Sequence, residues 1–433
     1  MRHLILGNGP AGVVAAETLR RYAPEDEILL YGCEGEPPYS RMAIPYLLEG
    51  NIDERGTYLR KQEGYFAAQR ITLREGRAVA VDTAARTVLF ADGHREHFDR
   101  LLVATGSSPI LPPIPGIDLP GVTPCWTLAH ARAIAERLQP GARVVQMGAG
   151  FIGSILLEAF VKAGAKLTIV ELGDRMVPRM MTPVAGNLIR RWVEEKGVQV
   201  FTETRIDAIA LGAGQGNDTA AGPDGAPLLV QLSNGERLPA DLVIVAAGVK
   251  PNVAFLEGTP VHVASGVLVN ERMESAGAGI FAAGDCAEAP DLFTGQHLVA
   301  AIQPNAVDQA RVAAVNMAGG HATLKGVLAI NVLETLGLVS TSFGQWQGVP
   351  ENQGGSGVEW VDEAAYRYLS LQFQKDRLIG ATAIGLTEHV GVLRGLIQGK
   401  VALGPWHERL LANPLAFVEA YLARAQYSAL LAA

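Results

Sequence analysis

Cysteine is scarce in this 433-residue chain: Cys33, Cys125 and Cys286 are its three. They stand far apart, in no CxxC or other ligand spacing. Neither a disulfide framework nor a protein-held metal, zinc or iron–sulfur, is therefore expected. Positive charge is in deficit, with 36 Lys and Arg against 44 Asp and Glu and a net charge of −8. Nucleic acid, which needs a basic face, is excluded as a partner. No apolar run approaches the roughly 18 to 20 residues that cross a bilayer. The opening "MRHLILGNG" has no charged, apolar and cleavable series, so no signal peptide is expected and the chain reads as cytoplasmic. What is present is apolar bulk, 48% of residues, enough for large cores in roughly three domains.

"HLILGNGPAGVVAAETLRRYAPEDEILLYGCE" runs strand, glycine turn, helix, strand. Gly7, Gly9 and Gly12 form GxGxxG after the apolar run Leu4 to Leu6, and Ala11, Ala15 and Leu19 share one helix face. The first glycine permits the tight turn, the second admits a diphosphate to the backbone, and the third brings helix close to strand. The helix then turns its positive end to the phosphates. Glu34, just past the second strand, is placed to accept hydrogen bonds from an adenosine ribose; it or the nearby Glu36 also reads as a solvated loop acid.

The pattern returns in "ARVVQMGAGFIGSILLEAFVKAGAKLTIVELGD" with Gly148, Gly150 and Gly153, and "KLTIVE" ends in Glu171. An acid at that strand tip suits a free 2′-hydroxyl and repels a 2′-phosphate, which points to NAD rather than NADP. A helix-capping or surface glutamate is the plainer reading, and Arg175 and Arg179 downstream keep dual specificity open.

Two further segments, "DRLLVATGSSPILPPIPG" and "GIFAAGDCAEAP", follow in order, with "AAGVKPN" between them. With both glycine turns, the chain resembles the two-dinucleotide-domain flavoproteins of the pyridine nucleotide–disulfide oxidoreductase superfamily over about 330 residues. The resemblance implies an α/β fold: two Rossmann-like dinucleotide-binding domains, the FAD domain split by the NAD domain, plus a C-terminal α+β interface domain. The implied layout is FAD domain 1–117 and 249–325, NAD domain 118–248, and interface domain 326–433. The polar run "GAGQGNDTAAGPDG", Gly212 to Gly225, reads as a hairpin tip. "YRYLSLQF" and "LIGATAIG" read as strands, and "HVGVLRGLIQ" and "PLAFVEAYLARA" as helices.

Carried over by position, the resemblance gives FAD to Gly7, Gly9, Pro10, Ala11, Gly12, Glu34 and Arg41. Val79 becomes the backbone contact to adenine. Ala104, Thr105 and Gly106 line the diphosphate turn, and Gly284 and Asp285 meet the ribityl chain. NAD falls to Gly148, Gly150, Gly153, Glu171 and Gly248.

"PPYSRMAIPYLLEG", Pro37 to Gly50, raises the question of the electron acceptor. Superfamily members that reduce disulfides keep CxxxxC after the first unit, and relatives with one redox cysteine carry a segment like CxLPY. Here Met42 stands where that cysteine would be, and a thioether cannot cycle as a thiol. Cys286 beside Gly284–Asp285 is the remaining thiol near the flavin, although structural packing is the plainer reading. The segment instead resembles "PYSRPALSK" of the thiol-free reductases that serve rubredoxin or ferredoxin. Two departures stand out: Tyr46 replaces their lysine and Ile155 their glutamate, with Glu158 one turn later. These four, Met42, Tyr46, Ile155 and Glu158, are the flavin-proximal candidates, and no catalytic acid or base is assigned. Hydride transfer needs orientation and exclusion of water rather than a proton donor.

The implied partners are NAD(H) and an iron–sulfur protein or subunit, within a homo-oligomer or a hetero-oligomeric complex. "PPYSRMAIPYLL", "GAGFIGSILLEA", "DRMVPRMM" and "AIQPNAVDQA" together resemble the flavoprotein subunits of NADH-dependent 2-oxo acid dehydrogenases. The resemblance leaves open a stand-alone rubredoxin or ferredoxin reductase, and an NADH oxidase releasing hydrogen peroxide. His389 and His407 read as structural, and "RRWVEEKG" as an exposed helix end.

Overall fold

Short strands that are apolar on both sides, alternating with helices, can be buried only as a parallel sheet covered on both faces. The computed structural model, described over residues 1–212 and 227–432, contains two such sheets. In the first, strands Ile280–Ala282, Arg100–Val103, Arg2–Leu6, Glu27–Gly32 and Ile71–Glu75 lie side by side in that order, all parallel. In the second, the order is Gln199–Phe201, Lys166–Val170, Arg143–Met147, Leu242–Val245 and Val122–Pro124, again all parallel. Four adjacent strands, from one edge inward, follow one topology in both. The fifth strand comes last in chain order in the first sheet and first in the second.

The chain divides into two compact units, Met1–Pro109 with Val249–Leu328, and Ile110–Gly248 with Ala329–Ala433. In the first, helix Pro10–Tyr22 begins with proline and packs Ala11, Ala15, Ala16 and Leu19 into the core. Proline loses nothing at a position whose N–H has no helical partner. Arg20 and Arg21 close the helix at its negative end. Helix Gln303–Met317 packs against it through Ala306, Ala310, Ala313 and Ala314, so two helix backbones approach closely.

In the second unit a five-stranded antiparallel sheet follows, in the order Ile330–Thr335, Leu338–Gly344, Arg377–Ile384, Arg367–Gln374 and Gly355–Asp362. Helices Val390–Gln398, Trp406–Ala412 and Phe417–Ala432 close the chain. A polar row crosses all five strands in register: Asn331, Ser342, Thr382, Ser370 and Glu359.

"RRWVEEKG" is the exposed helix end expected, with Arg191 and Glu194 to Gly197 exposed, but it is also an anchor: Trp192 Nε1 donates to the carbonyls of Thr335 (3.1 Å) and Leu336 (3.0 Å). Arg191 pairs with Glu363 and Tyr366 donates to Glu195. The polar heads sit at the edge while the indole is held against the sheet, which a charge-rich sequence conceals. His407 bonds Ser356 at 3.0 Å and meets the Phe373 ring edge-on; His389 occupies the N-cap position of helix Val390–Gln398, with no capping bond from its side chain. The polar run expected as a hairpin tip lies, from residue 213 on, outside the described residues. The strands that flank it, Ile206–Leu211 and Leu228–Leu232, are antiparallel partners.

Candidate functional site: two glycine turns

In the first unit the turn after strand Arg2–Leu6 is built by contact. Gly7 has φ +110°, and a Cβ there would lie 2.0 Å from the Ala104 carbonyl oxygen. A Cβ at Gly12 would lie 1.8 Å from the Gly7 carbonyl oxygen. Only glycine allows these approaches. Gly9 is different: its backbone is ordinary (φ −74°, ψ −172°) and nothing stands within 4 Å of a Cβ. Neither conformation nor protein packing asks for glycine there, so the empty space is what the residue preserves. The helix that starts beside it has no side-chain cap, leaving first-turn N–H groups to a ligand.

Around this turn lie the other candidates of the same unit. Glu34 accepts from the Tyr39 hydroxyl at 2.5 Å and pairs with Arg41, so its carboxylate is already oriented. Thr105 Oγ1 donates to the Asn252 carbonyl (2.7 Å), and Asn252 Nδ2 returns a bond to the Thr105 carbonyl (3.0 Å). Gly106 is left-handed with open space beside it. Val79 stands exposed on strand Ala78–Asp82. Gly284 (φ +84°) gives its N–H to Gln309 Oε1 at 2.8 Å. Asp285 accepts from Ser107 Oγ at 2.8 Å, and burial pushes its carboxyl up, opposed by the Ser107 bond and the Arg41 charge.

Cys286, fully buried, points its thiol at the Val103 carbonyl at 3.2 Å, and burial raises its pKa. It packs the core. Cys125 is buried as well, its thiol pushed up to about 12 by burial alone. Met42 and Tyr46 are exposed, 46% and 55%, on the short helical turns Arg41–Ala43 and Ile44–Leu48. Ser40 just before them donates to Gln303 Oε1 at 2.9 Å, tying the segment to the start of helix Gln303–Met317.

The second unit repeats the arrangement. A Cβ at Gly148 (φ +97°) would lie 2.5 Å from the Ala246 carbonyl, and one at Gly153 2.6 Å from the Gly148 carbonyl. Gly150 again has extended backbone with nothing within 4 Å. Gly248, also left-handed, closes the last strand-to-loop exit at φ +108°. Glu171, 8% exposed, accepts the Ala149 N–H at 2.6 Å and the Gly173 N–H at 2.7 Å. Each oxygen keeps a second lone pair. Arg175 is spent inside its own loop, on the Met181 and Pro178 carbonyls and on Asp174; Arg179 is exposed. Ile155 and Glu158 are half-buried on helix Phe151–Lys162, and Glu158 Oε2 is buried without a hydrogen-bond partner among the described residues.

Residues 1–315 match the family described as pyridine nucleotide-disulphide oxidoreductase. The chain belongs to that family. It is an enzyme of the FAD- and NAD(H)-dependent kind. It is 33% identical over 419 residues, 96% of each chain, to the NADH-dependent phenylglyoxylate dehydrogenase subunit epsilon of Aromatoleum evansii. It is 30% identical to a rubredoxin-NAD(+) reductase of Pseudomonas putida, over 92% of this chain and 99% of that one. The fold matches putidaredoxin reductase in its covalent complex with putidaredoxin, with TM-score 0.87 at 24% identity, covering 98% and 99% of the two chains.

The residues present suit the family's cofactors. Open space at Gly9 and Gly150 and uncapped helix starts are what a bound dinucleotide would fill in each unit; in the first, Gln309 Nε2 is a buried donor without a partner among the described residues. Ser107, Asn252, Gln303 and Gln309 are absent from the sequence-derived set. Their partners stand from 147 to 263 residues away except for Gln309, whose partner is 25 away. No local spacing announces them. No described helix is long and apolar enough to cross a membrane.

Proposed function

We propose that the chain carries electrons between NAD(H) and a separate iron–sulfur protein, with no thiol in the relay. The observation that carries this reading is the state of the sulfur: Met42 occupies the segment Pro37 to Gly50, and Cys125 and Cys286 are buried with raised pKa. FAD, when bound, supplies the exchange of a hydride on one side and single electrons on the other.

The chain's own residues hold and orient. The Gly7–Gly12 turn and the start of helix Pro10–Tyr22 receive the diphosphate, with Thr105 and Gly106 beside it. Glu34 and Arg41 take the adenosine side and Val79 the adenine. Asp285 accepts from a ribityl hydroxyl. In the second unit the Gly148–Gly153 turn receives NAD and Glu171 takes its adenosine ribose, while its negative charge opposes a 2′-phosphate. A carrier near about −400 mV would drive electrons toward NAD.

The finer reading is a flavoprotein subunit of a 2-oxo acid dehydrogenase acting on phenylglyoxylate. It is supported by the likeness to the epsilon subunit over 96% of both chains. Such a subunit would leave the 2-oxo acid to other chains. Anaerobic stopped-flow reduction by NADH, followed by mixing with ferredoxin or with oxygen, tests the proposal. Rapid reoxidation by ferredoxin and slow reaction with oxygen are expected. Rapid oxygen consumption yielding hydrogen peroxide, with ferredoxin ignored, would make it an oxidase. Copurification with cluster-bearing chains separates the subunit from a stand-alone reductase.

A further inference from the structure

Gln309 lies midway along helix Gln303–Met317 and is 1% exposed. Its Oε1 accepts the Gly284 N–H at 2.8 Å. A backbone N–H can only donate, so the amide cannot be turned the other way, and Nε2 is fixed as the free end. That nitrogen is buried and has no partner among the described residues. A buried donor left dry bears its desolvation penalty with nothing in return. On a helix face otherwise made of Ala306, Ala310 and Ala313, an apolar side chain would avoid the cost altogether.

The surroundings indicate what the donor serves. A Cβ added at Gly284 would lie 3.3 Å from the Ala11 Cβ and 3.6 Å from the Ala306 Cβ. The Gly284 turn, the first turn of helix Pro10–Tyr22 and helix Gln303–Met317 therefore meet at small residues. The first turn of helix Pro10–Tyr22 is the uncapped one beside the open space of Gly9.

We infer that Gln309 is an FAD-binding residue: Nε2 donates to the diphosphate, directly or through one ordered water, while Oε1 holds the turn that carries Asp285. One side chain thereby couples the phosphate end of the cofactor site to its ribityl end. The inference rests on reading the Gly7–Gly12 turn and Asp285 as the FAD site.

The test is FAD titration of the full-length apoprotein, followed by quenching of flavin fluorescence, for wild type and two variants. Gln309→Glu keeps the acceptor for Gly284 and replaces the donor by a carboxylate oxygen. Its FAD affinity is expected to fall about 10- to 100-fold at pH 8. Measured against wild type at the same pH, it should recover partly at acidic pH, where a protonated carboxyl donates again. Gln309→Met removes both the donor and the acceptor for Gly284 without adding charge, and a loss of about tenfold is expected; it carries the test if the charged variant fails to fold. Affinity within about twofold of wild type in the folded variants, with no pH-dependent recovery, would make Gln309 a structural amide and overturn the inference. A wild-type apoprotein that takes up no FAD would instead overturn the reading of the site.

Discussion

Ser107 and Asp285, 178 residues apart in sequence, are joined by a 2.8 Å hydrogen bond in which the hydroxyl donates and the carboxylate accepts. Burial raises the Asp285 pKa above its ordinary 3.8, and the Ser107 bond opposes the rise. An acid with a raised folded pKa destabilises the fold where it is ionised. The apoprotein should therefore gain stability as pH falls through the folded value, until the unfolded value near 3.8 is passed. Retention of FAD should run the other way, because a protonated Asp285 accepts poorly from a ribityl hydroxyl. Ser107→Ala should move both transitions to higher pH. FAD release and thermal unfolding measured from pH 4 to 8 would reveal the shift; identical profiles would mean that Ser107 does not tune Asp285.

Glu171 holds two backbone N–H groups as well as presenting a charge. Glu171→Gln sets an amide donor against one of those donors, costing about 1–3 kcal/mol. It also removes the repulsion of a 2′-phosphate. NADH affinity is expected to fall about tenfold, while NADPH binds no worse. Direct titration with both coenzymes checks this, and an undiminished preference for NADH would show that another group discriminates.

Val177 is fully buried and left-handed, with φ +50°, and its N–H donates to the Ala149 carbonyl at 2.9 Å. A β-branched residue there stores about 1–3 kcal/mol of strain. Glycine in place of alanine ordinarily costs about 0.5–1 kcal/mol. At this position the order should invert, with Val177→Gly at least as stable as Val177→Ala in urea unfolding. The ordinary order would show that the conformation is not strained.

His3 is buried in the first strand with Nε2 at 2.8 Å from Asp26, and desolvation lowers its pKa below 6.5 despite that partner. Below pH 6.5 the unfolded chain takes a proton that the folded chain refuses. Stability should thus decline as pH falls from about 6.5 toward the folded value. His3→Leu should flatten that part of the stability–pH curve; an unchanged slope would assign it to other groups.

Thiol chemistry offers a direct check on the electron path. Cys33 is exposed while Cys125 and Cys286 are buried. A thiol reagent at pH 8 should label Cys33 alone in the native protein and leave NADH-dependent flavin reduction and its reoxidation unchanged. Inactivation on labelling, abolished in Cys33→Ser, would bring a thiol back into consideration.

The two glycine turns are legible in the sequence because part of their demand is local, although Gly7 and Gly148 also meet the distant Ala104 and Ala246 carbonyls. Gly12 meets Gly7 within six residues, and strand, turn and helix follow one another without interruption. The absence of a cysteine from Pro37 to Gly50 is equally local, and it alone narrows the chemistry. "YRYLSLQF" and "LIGATAIG" announce strands by their apolar spacing and become Arg367–Gln374 and Arg377–Ile384.

Other features depend on contacts that chain spacing does not encode. "RRWVEEKG" looks solvated until Trp192 meets the carbonyls of Thr335 and Leu336. Ser342, Thr382 and Ser370 are unremarkable polar residues until strand register aligns them across a buried sheet. Arg175 reads as a free cation until its own loop uses it up. Chain spacing marks the backbone approaches made within a few residues, Gly12 to Gly7 and Gly153 to Gly148, because only glycine allows them. Tertiary structure alone decided which polar atoms find partners. Hydrogen bonds such as Ser107 to Asp285, and the unfilled donor of Gln309, depend on burial and on distances of a few ångströms between segments that folding brings together.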